Sequence, residues 1–113
     1  MTQGQLKIDD ETTPEATILR ITGEVDLATV DTLVAAVEGA VPKQGNLILD
    51  LTGVEFMDSA GVAAVNRCRR LATAAETRMS LRCRAGGPVA QLMGWTGLDS
   101  LIEIELVDGP APA

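Results

Sequence analysis

The stretch NLILDLTGVEFMDSAGVAAVNRC, residues 46–68, decides how the rest of the chain is read. It opens on Leu47, Ile48 and Leu49, is interrupted once by Asp50 and closes on Leu51. A short run of this kind predicts a strand covered on both faces. Thr52 and Gly53 are expected to turn the chain, Val54, Phe56 and Met57 to return to the core, and Asp58-Ser59 to open a helix. Serine is a favoured N-cap, because its hydroxyl oxygen accepts a bond from an unpaired amide of the first turn. A hydroxyl there sits at the positive end of the helix dipole, and the same amides would stabilise a phosphate placed on it. Ser59 is therefore the candidate functional centre. The competing reading is a plain N-cap, since most serines at such positions do nothing else.

Upstream, Leu6 and Ile8 alternate with polar residues in a short edge strand, and residues 9–15, with Pro14, read as a turn. Residues 16–21 form a strand that Thr22-Gly23 ends, and the two strands are close enough to make a hairpin. Asp26 is placed to cap a helix whose apolar stripe is Leu27, Val30, Leu33, Val34, Val37 and Val41, with Asp31 and Glu38 facing water. Gly39 weakens its end, Pro42 stops it, and Lys43-Gln44-Gly45 loops into the central strand.

Downstream, a helix runs from Ser59 to about Ala75, carrying Val62, Val65, Leu71 and Ala72. Gly61 in its first turn costs roughly 1 kcal/mol relative to alanine. Its absent side chain either leaves room for another backbone or a partner beside Ser59, or marks a frayed turn with no role. Residues 79–84 alternate as a strand. Pro88 suits the start of a short helix over 89–93, ended by Gly94, and Trp95 is expected to pack back on the core. Residues 101–106 make the last strand, and the segment DGPAPA, 108–113, is a Pro-rich tail. The order β-β-α-β-α-β-α-β, with helices between strands, predicts an α/β fold: a mixed sheet with helices packed on it. One domain is expected over 1–113, its core about 5–106 and 107–113 a flexible tail.

The chain has 113 residues and a net charge of -7, which argues against nucleic acid and against an anionic membrane surface as partners. The arginines at 67, 69, 70, 78, 82 and 84 read as solvated helix and strand faces. No apolar run is long enough to cross a membrane, and the N-terminus lacks the pattern of a signal peptide. Cys68 and Cys83 fall on separate elements and are expected as reduced, half-buried thiols in a cytoplasmic protein. The absence of histidine removes a Ser-His-Asp triad and any His-containing zinc site, and Ser59 has no general base to make it a nucleophile. No phosphate-binding glycine loop and no CxxC is present. Asp26, Asp50, Glu55 and Asp58 converge at one end of the sheet in this reading, a conceivable Mg²⁺ site or the centre of a small enzyme; a helix cap and a turn explain Asp26 and Asp58 more simply.

The segment LILDLTGVEFMDSAGV, 47–62, resembles the signature of the anti-sigma factor antagonists, bacterial members of the STAS domain family, in which D-L-S/T-x-V precedes F-x-D-S-x-G at a helix start. The upstream TGEVD, 22–26, is similar to the family's motif before its first helix, and LMGWTGLDSLIEI, 92–104, to the family's ending. Together the matches span residues 15–106. The resemblance implies a non-enzymatic module of transcription and stress-response regulation that works by partner switching. Ser59 is then the phosphorylation site, the partners an anti-sigma factor serine kinase and a serine phosphatase, and no cofactor or metal is implied. Unphosphorylated, such a protein holds the kinase and frees a sigma factor; phosphorylated, it lets go. Asp26, Asp58, Ser59 and Gly61 carry over as partner-binding residues, with Gly61 letting the kinase approach. A monomer is expected. The alternative within the family is an unphosphorylated scaffold or accessory subunit of a signalling particle or a transporter. The chain departs from the pattern in having no room for a further helix after its last strand, in Asn66 on an alanine-rich helix, and in the loose Gly86-Gly87 loop.

Overall fold

A computed structural model describes residues 5–41 and 45–108. Its elements follow the expected order: β1 (Leu6–Thr12), β2 (Thr17–Val25), α1 (Val30–Ala40), β3 (Asn46–Met57), α2 (Ser59–Ala74), β4 (Arg78–Arg84), α3 (Pro88–Thr96), a 3-10 turn (Leu98–Ser100) and β5 (Glu103–Val107). The strands form one five-stranded sheet in the order β1-β2-β3-β4-β5. β1 and β2 are the antiparallel hairpin, and each later neighbour is parallel to the one before it. Every parallel step therefore carries a helical crossover.

The side chains alternate cleanly between two environments. Leu19 and Ile21 of β2, Leu47, Leu49 and Leu51 of β3, and Met79, Leu81 and Cys83 of β4 are buried on the face that carries the helices. The core is aliphatic, as a chain with one Trp, one Phe and no Tyr requires. α1 buries Leu33, Val34 and Val37, and α2 buries Ala64, Val65 and Cys68, so the stripes read at helical spacing face the sheet.

Among the described residues no helix packs on the opposite face of the sheet, which corrects the expectation that the central strand is covered on both sides. Its residues show why it tolerates water. Asp9, Arg20, Asp50, Arg82 and Glu105 pair in register across all five strands, a row of alternating charge. Arg82 lies 3.1 Å from Glu105 and 3.7 Å from Asp50, and Arg20 2.7 Å from Glu11. Opposite charges side by side stabilise neighbouring strands modestly and keep the face polar. Arg67 and Arg70 lie exposed on α2, so the basic residues occupy solvated faces as read.

Other boundaries move. β1 continues into the segment read as a turn, as far as Thr12, because Asp9 and Glu11 sit on the polar face where Lys7 and Arg20 pair with them. The hairpin turn comes later, where the Thr13 N–H donates to the Ala16 carbonyl at 2.8 Å and the Ala16 N–H to Thr13 Oγ1 at 3.1 Å. β2 runs past Thr22-Gly23 to Val25. β3 does not turn at Thr52-Gly53 but extends to Met57 with two β-bulges against β2. Arg20 pairs with Asp50 but Thr22 with Gly53, and Gly23 with Val54 but Glu24 with Phe56. Each step inserts one extra β3 residue. Inward positions are consequently Leu51, Val54 and Met57, spaced by three rather than two.

α3 passes through Gly94 and ends at Gly97, whose left-handed backbone (φ +80°) terminates it. It buries Val89 and Met93, four residues apart, so Trp95, two positions beyond Met93, points away from the sheet. Trp95 is 78% exposed and is no core anchor. Leu101 is exposed and the last strand begins two residues later than expected, at Glu103. Cys68 and Cys83 are free and buried, and burial pushes their thiols up to about 12 and about 11 respectively. The stop at Pro42, the loop residues Lys43 and Gln44, and the tail from Gly109 lie outside the described residues.

Candidate functional site

The site is built where β2 and β3 end side by side. Val25 pairs with Met57, both buried, and the Asp58 N–H reaches back to the Val25 carbonyl at 3.4 Å. The chain leaves each strand by a different device, and the two exits are neighbours.

At the exit of β3 the helix cap is Asp58 and not Ser59. Asp58 has extended backbone angles (φ -114°, ψ -169°), and its Oδ1 accepts the Gly61 N–H at 3.1 Å. Its carbonyl accepts the Val62 N–H at 3.0 Å, the first bond of the helix. Aspartate outcompetes serine here because its carboxylate satisfies an orphan amide while meeting the positive end of the dipole. Ser59 is the first helical residue and is exposed. Among the described residues its hydroxyl has no hydrogen-bond partner. The reading of Ser59 as the cap is thus corrected, and the hydroxyl is left free for chemistry from outside.

Gly61 is buried, and its surroundings correct the view that its missing side chain admits a partner. A Cβ built there would stand 2.7 Å from the Val25 carbonyl oxygen and 2.6 Å from Met57 Cγ. The glycine lets the first turn of α2 lie directly on the end of β2. The backbone it accommodates is the chain's own, and the helix start is pinned rather than frayed.

At the exit of β2, Asp26 caps no helix directly. Its Oδ1 accepts the Ala28 N–H at 3.0 Å, and its carbonyl accepts the Thr29 and Val30 amides, both at 3.0 Å. The buried Thr29 closes the turn: its Oγ1 accepts the Asp26 N–H at 3.0 Å and donates to the Glu24 carbonyl at 2.8 Å. α1 starts only at Val30. Leu27, counted on the α1 stripe from its spacing, instead sits at the tip of this turn and is 80% exposed. Phe56, in the second bulge of β3 and opposite Glu24, is 48% exposed. These two apolar residues are what the sequence reading missed. The signal for Leu27 was the D-x-x-T turn chemistry of residues 26–29; nothing local marks Phe56.

The structure brings Asp26, Asp58, Ser59 and Gly61 to one end of the sheet. It does not bring Asp50 there: that carboxylate lies on the polar face beside Arg82. Among the described residues no three His, Cys, Asp or Glu come together as a metal-holding group. Segments 24–31 and 54–63 carry Glu24, Asp26, Asp31, Glu55 and Asp58 and no cation. Ser59 is exposed next to the capping Asp58, and the exposed apolar residues Leu27 and Phe56 lie on the same two chain exits.

The family model of the STAS domain matches residues 7–108, and the chain belongs to that family. Among solved structures it is similar to an anti-sigma factor antagonist from Mycobacterium paratuberculosis, at 22% identity and a TM-score of 0.80 over 89% of this chain and 86% of that one. It is similar also to the anti-sigma factor antagonist SpoIIAA in its unphosphorylated form, at 25% identity and a TM-score of 0.66 over 96% of this chain and 89% of that one. The phosphorylated form of the Bacillus cell fate determinant SpoIIAA matches at 24% identity and a TM-score of 0.62, over 96% of this chain and 92% of that one. No curated protein sequence matches. No helix among the described residues is long and apolar enough to cross a membrane.

Proposed function

We propose that this STAS domain is an anti-sigma factor antagonist, a cytoplasmic phospho-switch that binds an anti-sigma factor serine kinase through the surface around Ser59 and is released when that kinase phosphorylates Ser59. The observation that carries this reading is the exposed Ser59 hydroxyl at the first position of α2, which has no hydrogen-bond partner among the described residues. Its similarity to an antagonist whose structure is known in both phosphorylation states supports it.

The switch is electrostatic. A phosphate adds about -1.5 to -2 charges and three acceptor oxygens. At Ser59 it stands next to the Asp58 carboxylate, at the end of the sheet where β2 delivers Asp26. The Gly61 amide that would have welcomed it is taken by Asp58. The phosphate therefore stands beside the Asp58 carboxylate with one first-turn amide already engaged, and it must be desolvated against a partner shaped for a neutral hydroxyl. A loss of a few kcal/mol on binding suffices to separate the states, since about 1.4 kcal/mol is tenfold in affinity. Asp26 and Asp58 shape the two chain exits; Leu27 and Phe56 supply the apolar contact. A serine phosphatase resets the hydroxyl.

The experiment is incubation with candidate anti-sigma factor kinases and ATP, followed by intact mass and site mapping. One added phosphate at Ser59 is expected, and none in Ser59→Ala. A kinase that holds the protein tightly yet never modifies it would leave an unphosphorylated STAS scaffold.

A further inference from the structure

β3 reaches the site out of step with β2, having inserted two extra residues on the way. The first bulge is held by a local device on the open face. Asp50 Oδ1 accepts both the Thr52 N–H, at 3.0 Å, and the Thr52 hydroxyl, at 2.7 Å. The Asp50 side chain is only 12% exposed, and its Oδ2 lies 3.7 Å from Arg82 Nη1. On the other side of the same bulge, Gly53 approaches β2 so closely that a Cβ there would stand 2.6 Å from Thr22 Cγ2 and 3.3 Å from the Ile21 carbonyl oxygen. None of these groups belongs to the surface around Ser59.

We infer that Asp50 is a positioning residue for Ser59: by bonding both donors of Thr52 it locks the bulge that sets the register of everything in β3 beyond it. The side-chain period of a strand is two, so a one-residue slip past Asp50 exchanges inward and outward positions. In one direction it would place Glu55 and Asp58 where Val54 and Met57 are now buried, and would carry the cap and the hydroxyl away from the end of β2. Burial of Val54 and Met57 opposes full slippage. The Asp50–Thr52 bonds suppress the partial openings that precede it. Two hydrogen bonds to a carboxylate are strong enough to matter locally. The inference rests on the phospho-switch reading for its purpose only. Its test is made on the isolated protein, so phosphorylation can fail while the positioning holds, and the reverse.

The test is amide hydrogen exchange by NMR at Asp58, Gly61 and Val62, whose N–H groups are bonded in the site, compared with Leu33 in α1. In Asp50→Ala, protection at the three site amides is expected to fall about tenfold more than at Leu33. Asp50→Asn keeps an oxygen for both Thr52 donors and loses the charge facing Arg82; it is expected to stay within about threefold of wild type. Thr52→Val removes one bond with little change of volume and carries the test should Asp50→Ala not fold, with a selective fall of about threefold at the same amides. An equal fall at Leu33, or no fall at the site amides, overturns the assignment. Asp50→Asn behaving as Asp50→Ala overturns it too, by passing the effect to the Arg82 ion pair.

Discussion

At Ser59 the free-energy cost of a side chain and its usefulness come apart. Asp58, not Ser59, satisfies the Gly61 amide, so the two neighbours respond differently to truncation. Asp58→Ala is expected to cost about 1 kcal/mol in urea unfolding, the ordinary value of a lost N-cap. Ser59→Ala is expected to stay within about 0.5 kcal/mol of wild type, because an exposed hydroxyl without a partner has little to lose. Equal losses for the two variants would return the cap to Ser59. Gly61 tests the same helix start from inside. Alanine gains about 1 kcal/mol of helix propensity over glycine. Its Cβ, though, must fit 2.7 Å from the Val25 carbonyl oxygen, a backbone atom that cannot swing aside. Overpacking of this kind costs about 1–3 kcal/mol, so Gly61→Ala is expected to be net destabilising in the same measurement, and a gain in stability would show the clamp to be loose.

Among the elements, the turn at residues 26–29 and the bulged end of β3 present the apolar part of the surface. Because Leu27 is 80% exposed, Leu27→Ala should change the unfolding free energy by no more than about 0.5 kcal/mol. Its effect belongs to association: affinity for the anti-sigma factor kinase, measured by calorimetry, should fall about tenfold, as loss of an apolar contact at an interface does. Unchanged affinity would remove Leu27 from the docking surface. These same elements show how far the chain could be read beforehand. Strand and helix order is legible because Leu47-Ile48-Leu49 is a short apolar run of strand length and the α1 and α2 stripes repeat at helical spacing. Thr52-Gly53 predicts a turn because those residue types do turn chains; here they make a bulge, and only the pairing of β2 with β3 distinguishes the two. Leu27 fitted a helical spacing by coincidence, since the Asp26–Thr29 bonds that hold it out of the helix are local polar contacts that hydropathy does not register. The residue type of Trp95 predicts a core position, but its offset from Met93 puts it on the far side of α3. The position of Ser59 at a helix start was legible to one residue, and that residue was the cap.

The whole molecule is asymmetric in charge. On its open sheet face Arg20, Arg78 and Arg82 pair with carboxylates, whereas the segments at the end of the sheet that carries Ser59, 24–31 and 54–63, hold five carboxylates and no cation. Burial of both thiols gives the fold a distinct response to alkali. Cys68 and Cys83 ionise near pH 9 in the unfolded chain and only at about 12 and about 11 when folded. Between these values the unfolded state binds fewer protons than the folded one, so stability is expected to fall as pH rises from about 9 towards 11. Urea midpoints across that range check it. A Cys68→Ala, Cys83→Ala protein should lose less over the same interval, and an identical decline would place the cause elsewhere.

The affinity of the cognate anti-sigma factor kinase for this protein, with Ser59 unmodified and with phosphoserine incorporated at that position, measures the central claim most directly. The account predicts tight binding of the unmodified form, retained by Ser59→Ala, and a loss of at least about a hundredfold on phosphorylation, equivalent to about 2.7 kcal/mol. Equal affinity for the two forms would contradict it.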